Sequence, residues 1–168
     1  IVRRGVFVPR PETECLVEAA LEVVVARPSP LIVDVGTGTG AIALALKHER
    51  PDARVWAVDR SPDAIALAKE NAAALGLEIE VRPGDLLSDL DPGIGPVDLV
   101  VSNPPYVAPG EFAELPREVR ADPAQALLGG TSLDRDTVRR IQGQSDGWAA
   151  ALVLLREHLS RPHATVEE

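Results

Sequence analysis

The sequence predicts an α/β fold, a doubly wound and mostly parallel sheet, from three observations. Short apolar runs of strand length alternate with helix-like segments, and those runs are nearly continuous in Val, Leu and Ile. The first of them leads through a glycine-rich turn into a helix. Strands apolar at almost every position are buried on both faces, which is the mark of a parallel sheet with helices packed against it.

The elements follow in order. "RPETECLVEAALEVVVA" reads as a helix starting near Pro11, with proline suited to the first turn and Glu12 and Glu14 at the positive end of the dipole. Leu16, Ala19, Ala20 and Val23 share one face, and Cys15 is expected to be a small core residue. "PSP" ends that helix and "LIVDVG" is the first strand. "AIALALKHE" is a second helix and "ARVWAVD" a second strand. "SPDAIALAKENAAALG" is a helix with Ser61 as cap, Pro62 at its first position and Gly76 just past its end. "LEIEVRPGD" and "VDLVVSN" supply two more strands. Further on, Trp148, Leu152, Leu155 and Leu159 recur at helical spacing, so a helix is expected there rather than a fifth strand made from "ALVLL".

With 168 residues, 45% hydrophobic and 26% charged, the chain is expected to form one domain over 1–168. Residues 1–30 are its lead-in segment and helix, and residues 142–168 an atypical C-terminal segment. No apolar run approaches the roughly 20 residues needed to cross a bilayer, so no membrane partner and a cytoplasmic location are expected. A net charge of −9 argues against direct nucleic-acid binding, which rests on Lys and Arg neutralising phosphates. His48, His158 and His163 lack metal-ligand spacing, and no metal is expected. The chain holds no methionine, and its opening reads like sequence from within a longer protein.

In open parallel sheets ligands bind beyond the carboxyl ends of the strands, where the strand order reverses. The four strand ends here read "DVGTGTG", "VDRS", "PGDLLS" and "SNPPY". Gly36, Gly38 and Gly40 permit a tight turn with exposed amides, with Thr37 and Thr39 between them. Asp34 is placed either to accept from a bound amine or to order that loop. Asp59, followed by Arg60, ends the second strand about 20 residues on, where a carboxylate accepts ribose hydroxyls in nucleotide-binding folds. Asp85 is suited to accept from the exocyclic amine of adenine, with Leu86 packed on the ring. "GTGTGA" also passes as a dinucleotide fingerprint, but hydride transfer has no need of "NPPY"; S-adenosylmethionine fits better than NAD.

An amide nitrogen is a poor nucleophile, so methyl transfer to it calls for fixed acceptors of its N–H bonds rather than a strong base. Asn103 offers a side-chain carbonyl, and Pro104 a backbone carbonyl freed from regular pairing by Pro104 and Pro105. Tyr106 can stack on a planar group. Asn103, Pro104 and Tyr106 are therefore the candidate catalytic residues, and with Pro105 they form the candidate substrate site.

Over about Val6 to Ile141, the segments "VFVPRPETE", "DVGTGTGAIALAL", "NPPYV" and "DPAQALLGGTSLD" resemble class I methyltransferases of the HemK/PrmC type. That family has a Rossmann-like fold and methylates the glutamine of the GGQ motif in peptide-chain release factors. "NPPY" alone also occurs in adenine and cytosine amino methyltransferases, so "PRPETE" and "GGTSLD" sharpen the assignment. The resemblance implies S-adenosyl-L-methionine as cofactor, S-adenosyl-L-homocysteine as product and a release factor as protein substrate. It places Gly36 to Gly40, Asp59, Leu86 and Asn103 on the cofactor, Asn103 to Tyr106 on the glutamine, and Phe7, Arg10, Thr13 and Glu14 around the site. The family's helical N-terminal domain is not found in the sequence, and the segment after Ile141 departs from the family's ending; truncation at the closing strands, divergence, or loss of activity in isolation are the readings this leaves.

Overall fold

The computed structural model describes residues 1–3, 6, 9, 12–87, 94–103 and 151–153. Among these residues three helices alternate with the first strands, and further strands follow: α1 (Glu12–Val23), β1 (Leu31–Val35), α2 (Ala41–Glu49), β2 (Arg54–Asp59), α3 (Pro62–Leu75), β3 (Glu80–Pro83), β4 (Leu99–Ser102) and β5 (Ala151–Val153). The sheet runs β3-β2-β1-β4-β5, and every described pairing is parallel. The order reverses between β1 and β4, which places the switch point, and so the expected ligand crevice, above those two strands.

Period-2 alternation inside unbroken apolar runs explains how one sheet holds two cores. Ile32, Leu99 and Val101 face a cluster with Leu16, Ala20 and Val24 of the α1 region and Ile42, Ala43 and Leu46 of α2. Their neighbours Leu31, Val33, Val35 and Val100 face the other way, against Leu87, Ile94 and Val97. All five residues of β1 are buried. Each fully buried aliphatic side chain contributes roughly 1.5–3 kcal/mol relative to exposure, so the centre of the sheet is the stable base on which the strand tips are held.

The end signals of α3 act as the sequence predicts. Ser61 Oγ accepts from the Ala64 amide, and Pro62 occupies the first turn. Gly76, at φ 66°, lets its own N–H reach Ala73 O at 3.2 Å while Leu77 N–H reaches Ala72 O at 3.0 Å. These two bonds form a Schellman closure.

Two expectations are corrected. Ala151–Val153 is not helical: it pairs in parallel with β4, Val100 opposite Ala151 and Ser102 opposite Val153. A short apolar run carries no local preference strong enough to decide; an open edge on β4 decides it. Cys15 is exposed, because the buried stripe of α1 runs through Thr13, Leu16 and Ala20 and leaves position 15 on the opposite face. Trp148, His158, His163 and "NPPY" beyond Asn103 lie outside the described residues.

The register of β4 on β1 is fixed at both ends. At the base, Asp98 Oδ2 accepts from the Leu31 amide at 2.8 Å while Asp98 N–H donates to Leu31 O at 2.9 Å. At the top, Ser102 Oγ donates to Val35 O at 2.8 Å, buried. A slip of one residue would send every side chain of β4 to the wrong core, so these bonds hold Asn103 at one height.

Candidate functional site

Register alone brings the predicted residues together. Val35 pairs with Val58 on one side and Ser102 on the other, so Gly36, Asp59 and Asn103 follow at the same level on three adjacent strand tips. Asp59 in turn pairs with Pro83, and Gly84 N–H donates to Asp59 O at 3.1 Å, carrying the row on to Asp85.

The glycine loop is built from beneath. Asp34 is fully buried, and its Oδ2 accepts from Thr37 Oγ1 at 2.6 Å and from the Ala43 amide at 3.2 Å. It therefore orders the loop, one of the two roles its position allowed. Burial pushes the Asp34 carboxyl up to about 7, against the lowering effect of the Thr37 and Ala43 bonds and with a smaller upward push from Asp59. Asp34 Oδ1 is buried with no hydrogen-bond partner among the described residues. Gly36 and Thr37 N–H both donate to Val58 O, at 2.8 and 3.1 Å, which folds the loop over β2.

Gly36 sits at φ 71°, and among the described residues a Cβ there would meet nothing within 4 Å, so none of them covers the backbone at the tip of β1. Gly40, at φ 82°, is required for a different reason. A Cβ would lie 3.2 Å from Ala68 Cβ and 3.3 Å from Leu44 Cδ1, because α2 and α3 pack closely at this point. Thr37 and Thr39 are buried; Thr37 turns its hydroxyl to Asp34, and Thr39 O accepts from Asn71 Nδ2 at 2.9 Å.

Asp59 is half-buried and already engaged, its Oδ2 accepting from Gly38 N–H at 2.9 Å and its Oδ1 from Ser61 N–H at 2.8 Å. A carboxylate has about four acceptor positions, so capacity for two hydroxyls remains. Arg60 is exposed beside it. Asp85 is exposed and Leu86 half-buried against the second core, with Leu86 at φ 56°. A bulky residue in the left-handed region is strained, and such strain concentrates where a loop is held for a purpose.

Asn103 is half-buried directly after β4. Its Nδ2 donates to Thr13 Oγ1 at 3.4 Å, and its Oδ1 is buried with no partner among the described residues. Thr13 itself is buried, whereas Glu14 is exposed; Phe7 and Arg10 lie outside the described residues. Pro104, Pro105 and Tyr106 also lie outside them. Among the described residues no three His, Cys, Asp or Glu side chains converge as metal ligands do.

Three participants escaped the sequence reading. Asp98 and Ser102 set the register and belong to the strand ends, where polar residues pass as ordinary punctuation. Asn71 is buried on α3 and ties Thr39 O to Ile1 O. Its signal was legible: a polar residue on the same helical face as Ala64, Leu67 and Ala68.

The chain is similar to known proteins in sequence and in fold. The family described as "Methyltransferase small domain" matches residues 12–132. The release factor glutamine methyltransferase of Deinococcus radiodurans is 47% identical over 147 residues, which is 88% of this chain and 50% of the relative. That of Mycolicibacterium smegmatis is 54% identical over 130 residues, 75% of this chain and 44% of the relative. That of Escherichia coli is 41% identical over 158 residues, 94% and 56% respectively. The chain thus spans about half the length of the curated relatives it matches. Among solved structures, the hMettl16 catalytic domain in complex with a MAT2A 3'UTR hairpin superposes with a TM-score of 0.73 at 16% identity, over 94% of this chain and 60% of that one, a likeness of fold alone. The ribosomal protein L11 methylase of Lactobacillus delbrueckii gives 0.51 at 25% identity, over 84% and 71%.

Proposed function

We propose, from the premise that this chain belongs to the Methyltransferase small domain family, that it carries the S-adenosylmethionine-binding core of a protein glutamine methyltransferase acting on a peptide-chain release factor. The observation that carries this reading is the carbonyl of Asn103, buried, without a partner among the described residues, and level with Gly36 and Asp59 on adjacent strand tips. The relatives at 41–54% identity support the choice of substrate.

The residues present fit the cofactor. The space above Gly36, clear of the described residues, admits a ligand against the backbone, Asp59 retains acceptor capacity for a ribose, and Leu86 offers an apolar surface beside Asp85 for a base. Once bound, the cofactor supplies a methyl group already activated by its sulfonium. The chain's own contribution is placement: Asn103 Oδ1 accepts one N–H of the substrate amide and so holds the nitrogen in line, while stabilising the positive charge that develops on it. Pro104 is assigned the second acceptor and Tyr106, beside Pro105, the platform that keeps the amide flat.

Calorimetry with S-adenosylmethionine, followed by mass spectrometry of a release factor and of an oligonucleotide offered in competition, tests the reading. Binding in the micromolar range and a single added methyl on the GGQ glutamine are expected. Methylation of the oligonucleotide instead, or cofactor binding with no transfer to either, would overturn it.

A further inference from the structure

We infer that Thr13 is the positioning residue that anchors the Asn103 amide, with Nδ2 held and Oδ1 left open, an inference that rests on the function proposed above. A carboxamide has two nearly isosteric orientations related by a half-turn, one presenting an acceptor and the other two donors. Only the first suits a substrate –NH₂, which is itself a donor. β4 fixes the backbone height of Asn103 but leaves this rotation open.

The bond that anchors the amide comes from another element. Thr13, buried in the first turn of α1, sets its Oγ1 3.4 Å from Asn103 Nδ2, across 90 residues of sequence. With Nδ2 engaged there, Oδ1 is the atom left without a partner among the described residues. Thr13 is held in turn by its helix, since Leu16, Ala20 and Val24 on the same side pack into the main core. Removing the hydroxyl frees the amide to rotate and to present N–H to N–H, so the substrate loses its acceptor while the cofactor keeps its glycine loop and Asp59.

Thr13→Val, which keeps shape and burial, and Thr13→Ser, which keeps only the hydroxyl, test this. For Thr13→Val, kcat for methyl transfer to a release factor is expected to fall about tenfold, the worth of one hydrogen bond. The cofactor Kd should stay within about threefold, and Thr13→Ser should recover most of the lost kcat. Equal impairment of both variants, or a Thr13→Val enzyme with wild-type kcat, would overturn the proposal.

A second readout stands apart from activity. In ¹⁵N spectra the Asn103 side-chain amide should show one proton protected from exchange in the wild type and in Thr13→Ser but not in Thr13→Val. Identical Asn103 signals in all three proteins would overturn the proposal even if the enzyme were active. A wild type that gives the expected spectra but transfers no methyl to a release factor would instead sink the proposed function and leave the Thr13–Asn103 contact standing.

Discussion

Replacing Asp34 with asparagine removes one buried charge while leaving its hydrogen bonds in place. The amide carbonyl of Asp34→Asn can still accept from Thr37 Oγ1 and the Ala43 N–H, and its –NH₂ occupies the position of Oδ1. In the wild type, burial raises the carboxyl from an ordinary 3.8 to about 7. Between those values the folded chain holds a proton that the unfolded chain has lost. Stability therefore falls as pH rises through that window: the contribution of the neutral carboxyl is intact below about pH 4 and gone above pH 7. A rise of that size is worth about 4 kcal/mol. The stability difference between wild type and Asp34→Asn should thus shift by about 4 kcal/mol in favour of the variant between pH 4 and pH 8. Urea unfolding of both proteins at half-unit pH steps measures it, because other titrating groups cancel in the difference. A difference that stays flat across the range, or that moves in favour of the wild type, would refute the claim that burial raises the Asp34 carboxyl.

Four further outcomes are expected. Asn103→Ala should lower methyl transfer at least about a hundredfold while weakening cofactor binding less than tenfold, read from single-turnover kinetics and calorimetry; near-normal turnover would count against its role. Gly40→Ala should destabilise the fold by about 2–4 kcal/mol in denaturant unfolding, from a left-handed φ together with a Cβ 3.2 Å from Ala68. Asp59→Ala should weaken S-adenosylmethionine binding roughly tenfold or more by calorimetry, since it removes both the expected ribose acceptor and the partner of Gly38 N–H; an unchanged Kd would reject the ribose assignment. Cys15 should react with a thiol reagent in the native protein at nearly the rate seen in urea, and strong native protection would contradict its exposed position on α1.

Much of this molecule was legible without coordinates because the deciding forces are local. Continuous Val, Leu and Ile runs cannot sit on a one-sided sheet, so β1 and β4 announce themselves as buried parallel strands. Ser61, Pro62 and Gly76 fix the ends of α3 through backbone bonds formed within a few residues. The glycine loop and the acidic residue that ends β2 are likewise spaced by the length of one crossover, which is why Gly36, Asp59 and Asn103 could be nominated together.

What the sequence left open depends on neighbours distant along the chain. The helical spacing of Trp148, Leu152, Leu155 and Leu159 points to a helix, yet the edge of β4 draws Ala151–Val153 into the sheet. The side of α1 that Cys15 occupies is set by which stripe the core of α2 and β4 accepts. Asp34 becomes an elevated acid only when the loop closes over it and water is excluded. The Asn103 amide is met by a hydroxyl 90 residues earlier. Strand and helix identity follow from short-range periodicity and capping, whereas protonation, rotamer and edge pairing are set by the surroundings that only the folded chain assembles.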